Sequence, residues 1–273
     1  MPVLGCAGNS SQSIPDSSLP YWLLSPLAFI ADSTFPSSTA LSQTHMLTFL
    51  HIITGTLAVS SGLLGLFVSK GSVTHRIAGR VFTCAMILLG CTGIALAQQV
   101  PMAISAVAGA AIIHLVITGA LAARSKTVAL QLIDSAAPIA SLAISLTSLA
   151  FAREAWESAS GLKDGFSAIP YGFFGALMLL VAALDLKYRL VAETTIVARR
   201  CRHIWRMSFA LFIAAGSLFT GPGATAFPAW LQASGLLSVP EPLILLTMIY
   251  WLVRLRLTPR RSASDDCDHH QYE

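Results

Sequence analysis

His114 and Asp134 set an imidazole and a carboxylate inside two consecutive apolar runs, a combination suited to proton transfer. An ionisable group at membrane depth is costly, so each such residue is a functional candidate. Counted from the turn that holds Arg124 and Lys126, His114 stands about 17 Å up its helix and Asp134 about 13 Å, at a rise of about 1.5 Å per residue. At such similar depths the expectation is that the two pair, as a proton relay or as a contact that orients the ring. The alternative for Asp134 is an ion pair with Arg124, Lys126 or Arg80 at the inner surface.

Two basic clusters each contain one histidine: His75-Arg76-Ile77-Ala78-Gly79-Arg80 and Arg199-Arg200-Cys201-Arg202-His203-Ile204-Trp205-Arg206-Met207. Guanidinium forks match the oxygens of phosphate and carboxylate, so Arg76, Arg80, Arg202 and Arg206 are candidate anion or headgroup contacts. Membrane topology also selects Arg and Trp at an interface, but it has no need of histidine. His75 and His203 both begin apolar runs at the same face. Sharing a depth, they are candidate axial ligands for one b-type haem. His51 is the third candidate ligand; it lies on one helix face with Gly55 and Gly62, the small-residue face, and so points into the bundle. His51 and His114 are offset by about 12 Å along their helices, which excludes a second haem between them. At the opposite face the candidates are His45, Glu241 and His51. His269 and His270 sit in an acidic tail that reads as solvated, and no metal site is expected.

Such groups must be held by helices that cross a bilayer. The 273 residues are 55% hydrophobic and 11% charged, with mean hydropathy +0.70. A soluble domain carries about 25% charged residues. Apolar runs of roughly 18 residues or more read as spans. The pattern predicts an all-α polytopic transmembrane bundle of about seven spans: 46–69, 79–98, 101–124, 128–151, 169–187, 204–221 and 237–254. Residues 1–44 form a Ser/Pro-rich extracytoplasmic segment. Within it, 21–31 is apolar but too short to span, and is expected to lie at the interface. Residues 45–257 make up the transmembrane domain, and 258–273 a disordered cytoplasmic tail.

Charge sets the orientation. With the N-terminus outside and the C-terminus in the cytoplasm, all of the 17 Lys and Arg except Arg153 and Lys163 fall in cytoplasmic segments. The partner implied is the lipid bilayer and not nucleic acid; oligomeric state is left open. The five cysteines are scattered, with no CxxC pair, and Cys84 and Cys91 read as packing residues on one helix face. There is no hydrolytic triad, phosphate loop, HExxH or dinucleotide fingerprint.

The motifs His51-Ile-Ile-Thr-Gly55, Gly62, Lys70-Gly71, His75-Arg76-Ile-Ala-Gly79-Arg80 and Arg202-His203-Ile-Trp205-Arg206-Met207-Ser208 cover about a third of the chain. With these motifs the sequence resembles the bacterial multi-pass membrane proteins grouped as domain of unknown function 2306. The resemblance implies a membrane bundle, in a bacterial cytoplasmic membrane, and no activity. From the residues, the leading specific function is a haem-binding or redox membrane protein. The alternatives are a transporter or binding protein for an anionic or lipid-like ligand, proton-coupled through His114 and Asp134, and a structural accessory protein.

Overall fold

In a computed structural model of the chain, residues 38–124, 128–190 and 195–257 are described. The stretch 21–31 and the tail 258–273 lie outside them. The chain divides into two compact units, Met1–Leu41 and Ser42–Glu273. The residues discussed below all lie in the second.

The long elements are helices: α1 (Ser38–Phe67), α2 (Val73–Ala97), α3 (Ala103–Ala122), α4 (Val128–Glu157), α5 (Ala168–Leu190) and α6 (Ile196–Phe219). A short helix, α7 (Ala229–Ala233), precedes α8 (Pro240–Leu257). No strand occurs among the described residues. Six helices are long and apolar enough to cross a membrane: α1 to α5 and the segment Leu236–Leu257 that ends in α8. The protein is thus an all-helical bundle of multi-pass membrane type. The helix α6 is 24 residues long but falls outside the six, because Arg199, Arg200, Arg202 and Arg206 lower its hydropathy.

Two helix starts differ from the apolar runs in a way that matters. The second helix begins at Val73, not 79, and α6 begins at Ile196, not 204. Both basic clusters are therefore wound into helix. The cause is local capping. Ser72 Oγ accepts from the His75 amide at 3.1 Å, and Thr195 Oγ1 accepts from the Ala198 amide at 3.2 Å. Gly71, at φ 82°, makes the turn that sets Ser72 in place. Lys70 Nζ closes α1 by donating to Gly65 O (3.0 Å) and Leu66 O (2.5 Å).

The hub is α3, which packs against α2, α4, α5 and α6, while α6 also packs on α8. It crosses α2 at two glycines. A Cβ on Gly90 would stand 2.8 Å from Gly109 O, and one on Gly109 would stand 2.6 Å from Gly90 O. Only glycine permits that backbone approach. The small residues of α1 serve packing in the same way: a Cβ on Gly62 would stand 2.7 Å from Leu211 and 2.8 Å from Phe82. Between α4 and α5, Ser145 donates to Gly175 O (2.8 Å) and Ser148 to Tyr171 O (2.7 Å). The loop between α4 and α5 folds back to cap α3, with Asp164 Oδ2 accepting from the Ala103 amide at 2.9 Å. In that loop Lys163 Nζ sits 2.7 Å from Glu154, a hydrogen bond that holds the ammonium pKa above its ordinary value. Contrary to the packing expectation, Cys84 and Cys91 are exposed on the outside of the bundle.

Candidate functional site: a buried Arg–Asp–His cluster

Asp185, on α5, is the centre of the site and is 1% exposed. Its Oδ2 is 3.2 Å from His114 Nε2 of α3. Its Oδ1 accepts from Arg202 Nη2 of α6 at 3.0 Å and from Arg206 Nη2, one turn further along α6. The second fork of Arg202 bonds Asp134 Oδ1 of α4 at 2.9 Å. Arg206 is 1% exposed and Arg202 6%, whereas the Asp134 side chain retains 26%. The cluster is therefore closed everywhere except at its Asp134 edge.

The geometry assigns the protons. A carboxylate between two guanidinium groups is ionised and only accepts, so His114 donates its Nε2–H to Asp185. With His114 neutral, two Arg offset two Asp and the cluster carries no net charge. That balance is what lets four helices bury it. It is not fully satisfied, however. Arg202 Nε, Arg206 Nε and Arg206 Nη1 are buried donors with no partner. Arg202 also stacks on Tyr188, its guanidinium carbon 4.1 Å from the ring centroid.

Each element has a local reason to present its group. Pro138 lies inside α4 and cannot donate to the carbonyl of Asp134, four residues earlier. The helix continues through Pro138, and Arg189 donates to the next carbonyl, Ser135 O, at 3.1 Å. At its C-terminal end, α3 is capped by α6: Arg199 donates from Nε to Ala122 O at 3.2 Å and also bonds Arg124 O.

The expected His114–Asp134 pair does not form directly. The two are joined through Arg202 and Asp185. Asp134 does not use Arg124 or Arg80 either. Arg202 and Arg206, expected among lipid headgroups, are buried within the bundle. Arg76 and Arg80 are exposed, and Arg76 donates to Gly71 O at 3.2 Å. Asp185 was not singled out from the sequence. It precedes Lys187 and Arg189 by only two and four residues, so it reads as part of a loop's charge.

Three further histidines, His51, His75 and His203, are each held by one nitrogen. His75 Nδ1–H donates to Gly65 O at 3.1 Å and His203 Nδ1–H to Gly119 O at 2.9 Å. His51 Nδ1 pairs with Thr92 Oγ1 at 2.9 Å and lines a cavity of about 70 Å³ between α1, α2, α3 and α6. Among the described residues no group of three or more His, Cys, Asp or Glu could hold a metal ion. No protein-family model, curated protein or solved structure matches the chain.

Proposed function

We propose that this is a proton-coupled membrane carrier or binding protein for an acidic, oxygen-bearing ligand. The ligand docks on Arg202 and Arg206, and the His114–Asp185 pair exchanges the proton. One observation carries the reading: three buried guanidinium nitrogens lack an acceptor beside a buried imidazole–carboxylate pair. A buried donor without a partner costs about 1–3 kcal/mol, more when charged. At Arg206 the two orphaned nitrogens, Nε and Nη1, face different edges of the guanidinium on either side of the Nη2 that bonds Asp185, so separate carboxylate or phosphate oxygens would satisfy them. Entry is from the Asp134 edge, where release of the Arg202–Asp134 bond opens the cluster.

The reading includes seven spans, with α6 the seventh. Its arginines meet Asp185 and Asp134 instead of lipid, which removes the objection to burying them. The N-terminus is then outside and the cluster lies nearer the cytoplasm, in keeping with the distribution of Lys and Arg. The motif resemblance favours a bacterial cytoplasmic membrane. The test is thermal stabilisation of the purified protein by inorganic phosphate or succinate. Stabilisation in wild type that is lost in Arg206→Gln and kept in Arg200→Gln supports the reading; no stabilisation by either probe contradicts it.

A second reading is favoured by a separate observation. His75 and His203 both give their Nδ1–H to a backbone carbonyl, which leaves Nε2 as the free base that an axial haem ligand requires. Under this reading one b-type haem lies between α2 and α6, and His51 takes no part. The test is the absorbance spectrum after haem-supplemented expression: a Soret band lost in His75→Ala supports it, and its absence in wild type refutes it.

A further inference from the structure

The cavity at His51 is the polar feature that the charge cluster leaves unused. It lies where α2 turns into α3. Ser105 is the third residue of α3, Gly93 is four residues before the end of α2, and Ser217 is two before the end of α6; all three line it. Thr92 gives its own hydroxyl proton to Leu88 O (2.9 Å) or Leu89 O (3.0 Å). Thr92 Oγ1 must therefore accept from His51, which fixes the Nδ1–H tautomer. With Nδ1 as the donor, to Thr92 and beside the Leu89 carbonyl, His51 Nε2 is the acceptor nitrogen of the ring.

A space of about 70 Å³ holds a short file of waters, at roughly 10–15 Å³ each, and is far too small for haem. Its walls come from α1, α2, α3 and α6 and include the serines Ser105 and Ser217 but no Asp, Glu, Lys or Arg. The nearest acid on α8 is Glu241, whose Oε1 lies 3.6 Å from a Cβ built on Gly216, the neighbour of Ser217. Glu241 also accepts the Thr220 hydroxyl. On the far side, Ile112 and Ile213 form the floor. Beneath them Leu115 and Ala210 are fully buried. Ile213 is seven residues, or about 10 Å, from Arg206 along α6. An apolar layer thus separates two polar regions at opposite ends of the same helices.

We propose that this cavity is a hydrated proton-acceptor site that loads from the face opposite the Asp185 cluster. A hydronium in the cavity gives its proton to His51 Nε2, leaving water and an imidazolium that keeps its bond to Thr92. The inference rests on the proton-coupled reading of the cluster and supplies the second half of its route.

The test uses the full chain with ¹⁵N-histidine in sealed liposomes of defined sidedness, read by solid-state NMR. His51 is expected to show contact with water. Its ring should charge as the pH on the N-terminal face falls from roughly 8 to 5, with the other face held constant. Gly93→Val, which fills the space beside His51, should abolish both signals; a Cβ there already stands 3.4 Å from His51 Cε1. Should that variant not fold, Ser217→Leu fills the same space from α6. A wild-type ring that gains neither water nor charge, or that follows only the cytoplasmic-face pH, overturns the proposal. Failure of the cluster reading shows separately, as the absence of phosphate or succinate stabilisation in wild type while the His51 signals persist.

Discussion

Asp185→Asn keeps the shape of the side chain and removes its charge. Asp185 receives hydrogen bonds from His114, Arg202 and Arg206, and it is 1% exposed, so water does not replace what is lost. The variant leaves two guanidinium groups facing a single carboxylate, Asp134, which touches only Arg202. Breaking a buried pair from one side costs about 3–5 kcal/mol, because the other charge stays buried and uncompensated. At about 2–4 °C per kcal/mol for a chain of this size, the melting temperature in detergent should fall by about 6–20 °C. The double variant Asp185→Asn/Arg206→Met removes the stranded cation as well, and should regain at least about 1 kcal/mol over the single variant. The assay is thermal unfolding followed by size-exclusion chromatography. A loss below about 1 kcal/mol, or a double variant whose losses simply add, would refute the account of the cluster as a mutually compensated unit.

Asp134→Asn should cost less, about 1–2 kcal/mol, since its side chain is only partly buried and only one arginine fork is released; a cost equal to that of Asp185→Asn would show the Asp134 edge to be closed. Gly90→Val should destabilise by about 1–3 kcal/mol or more, because its Cβ meets the Gly109 carbonyl as well as the Ile113 side chain, and the backbone carbonyl cannot turn aside. Ser148→Ala should lose about 0.6 kcal/mol and no more than about 1.7, the range for hydrogen bonds between membrane helices. Asp164→Ala removes the cap on α3 from a distant loop and should cost about 1 kcal/mol, readable as faster amide exchange at Ala103.

The apolar runs made the helices legible because a bilayer imposes one length and one hydropathy on every span. They misplaced the starts of α2 and α6 because hydropathy ends where charge begins, whereas a helix ends where its cap stands. Ser72 and Thr195 lie seven and nine residues upstream of the helix starts read from hydropathy, so Arg202 fell outside its span on paper and Arg206 at its very start. His114 and Asp134 were both found, since each is a lone ionisable group in an apolar run. Their true partners were not, because depth along a helix is a matter of counting while rotation towards a neighbour depends on packing. Asp185 was hidden for a different reason: Lys187 and Arg189 next to it make its charge look like an ordinary surface pair. Its burial follows from the approach of α3 and α6, which a single sequence does not encode locally.

The central claim is that the buried cluster couples a proton to an oxyanion. It is tested most directly in liposomes that carry the purified protein and a trapped pH-sensitive dye. An inward gradient of phosphate or of succinate is imposed, each alone. The account predicts acidification of the lumen with at least one probe in wild type, none in Asp185→Asn, and retention in Arg200→Gln. Wild-type liposomes that behave as protein-free ones with both probes, or an Asp185→Asn variant that acidifies as wild type does, would contradict it.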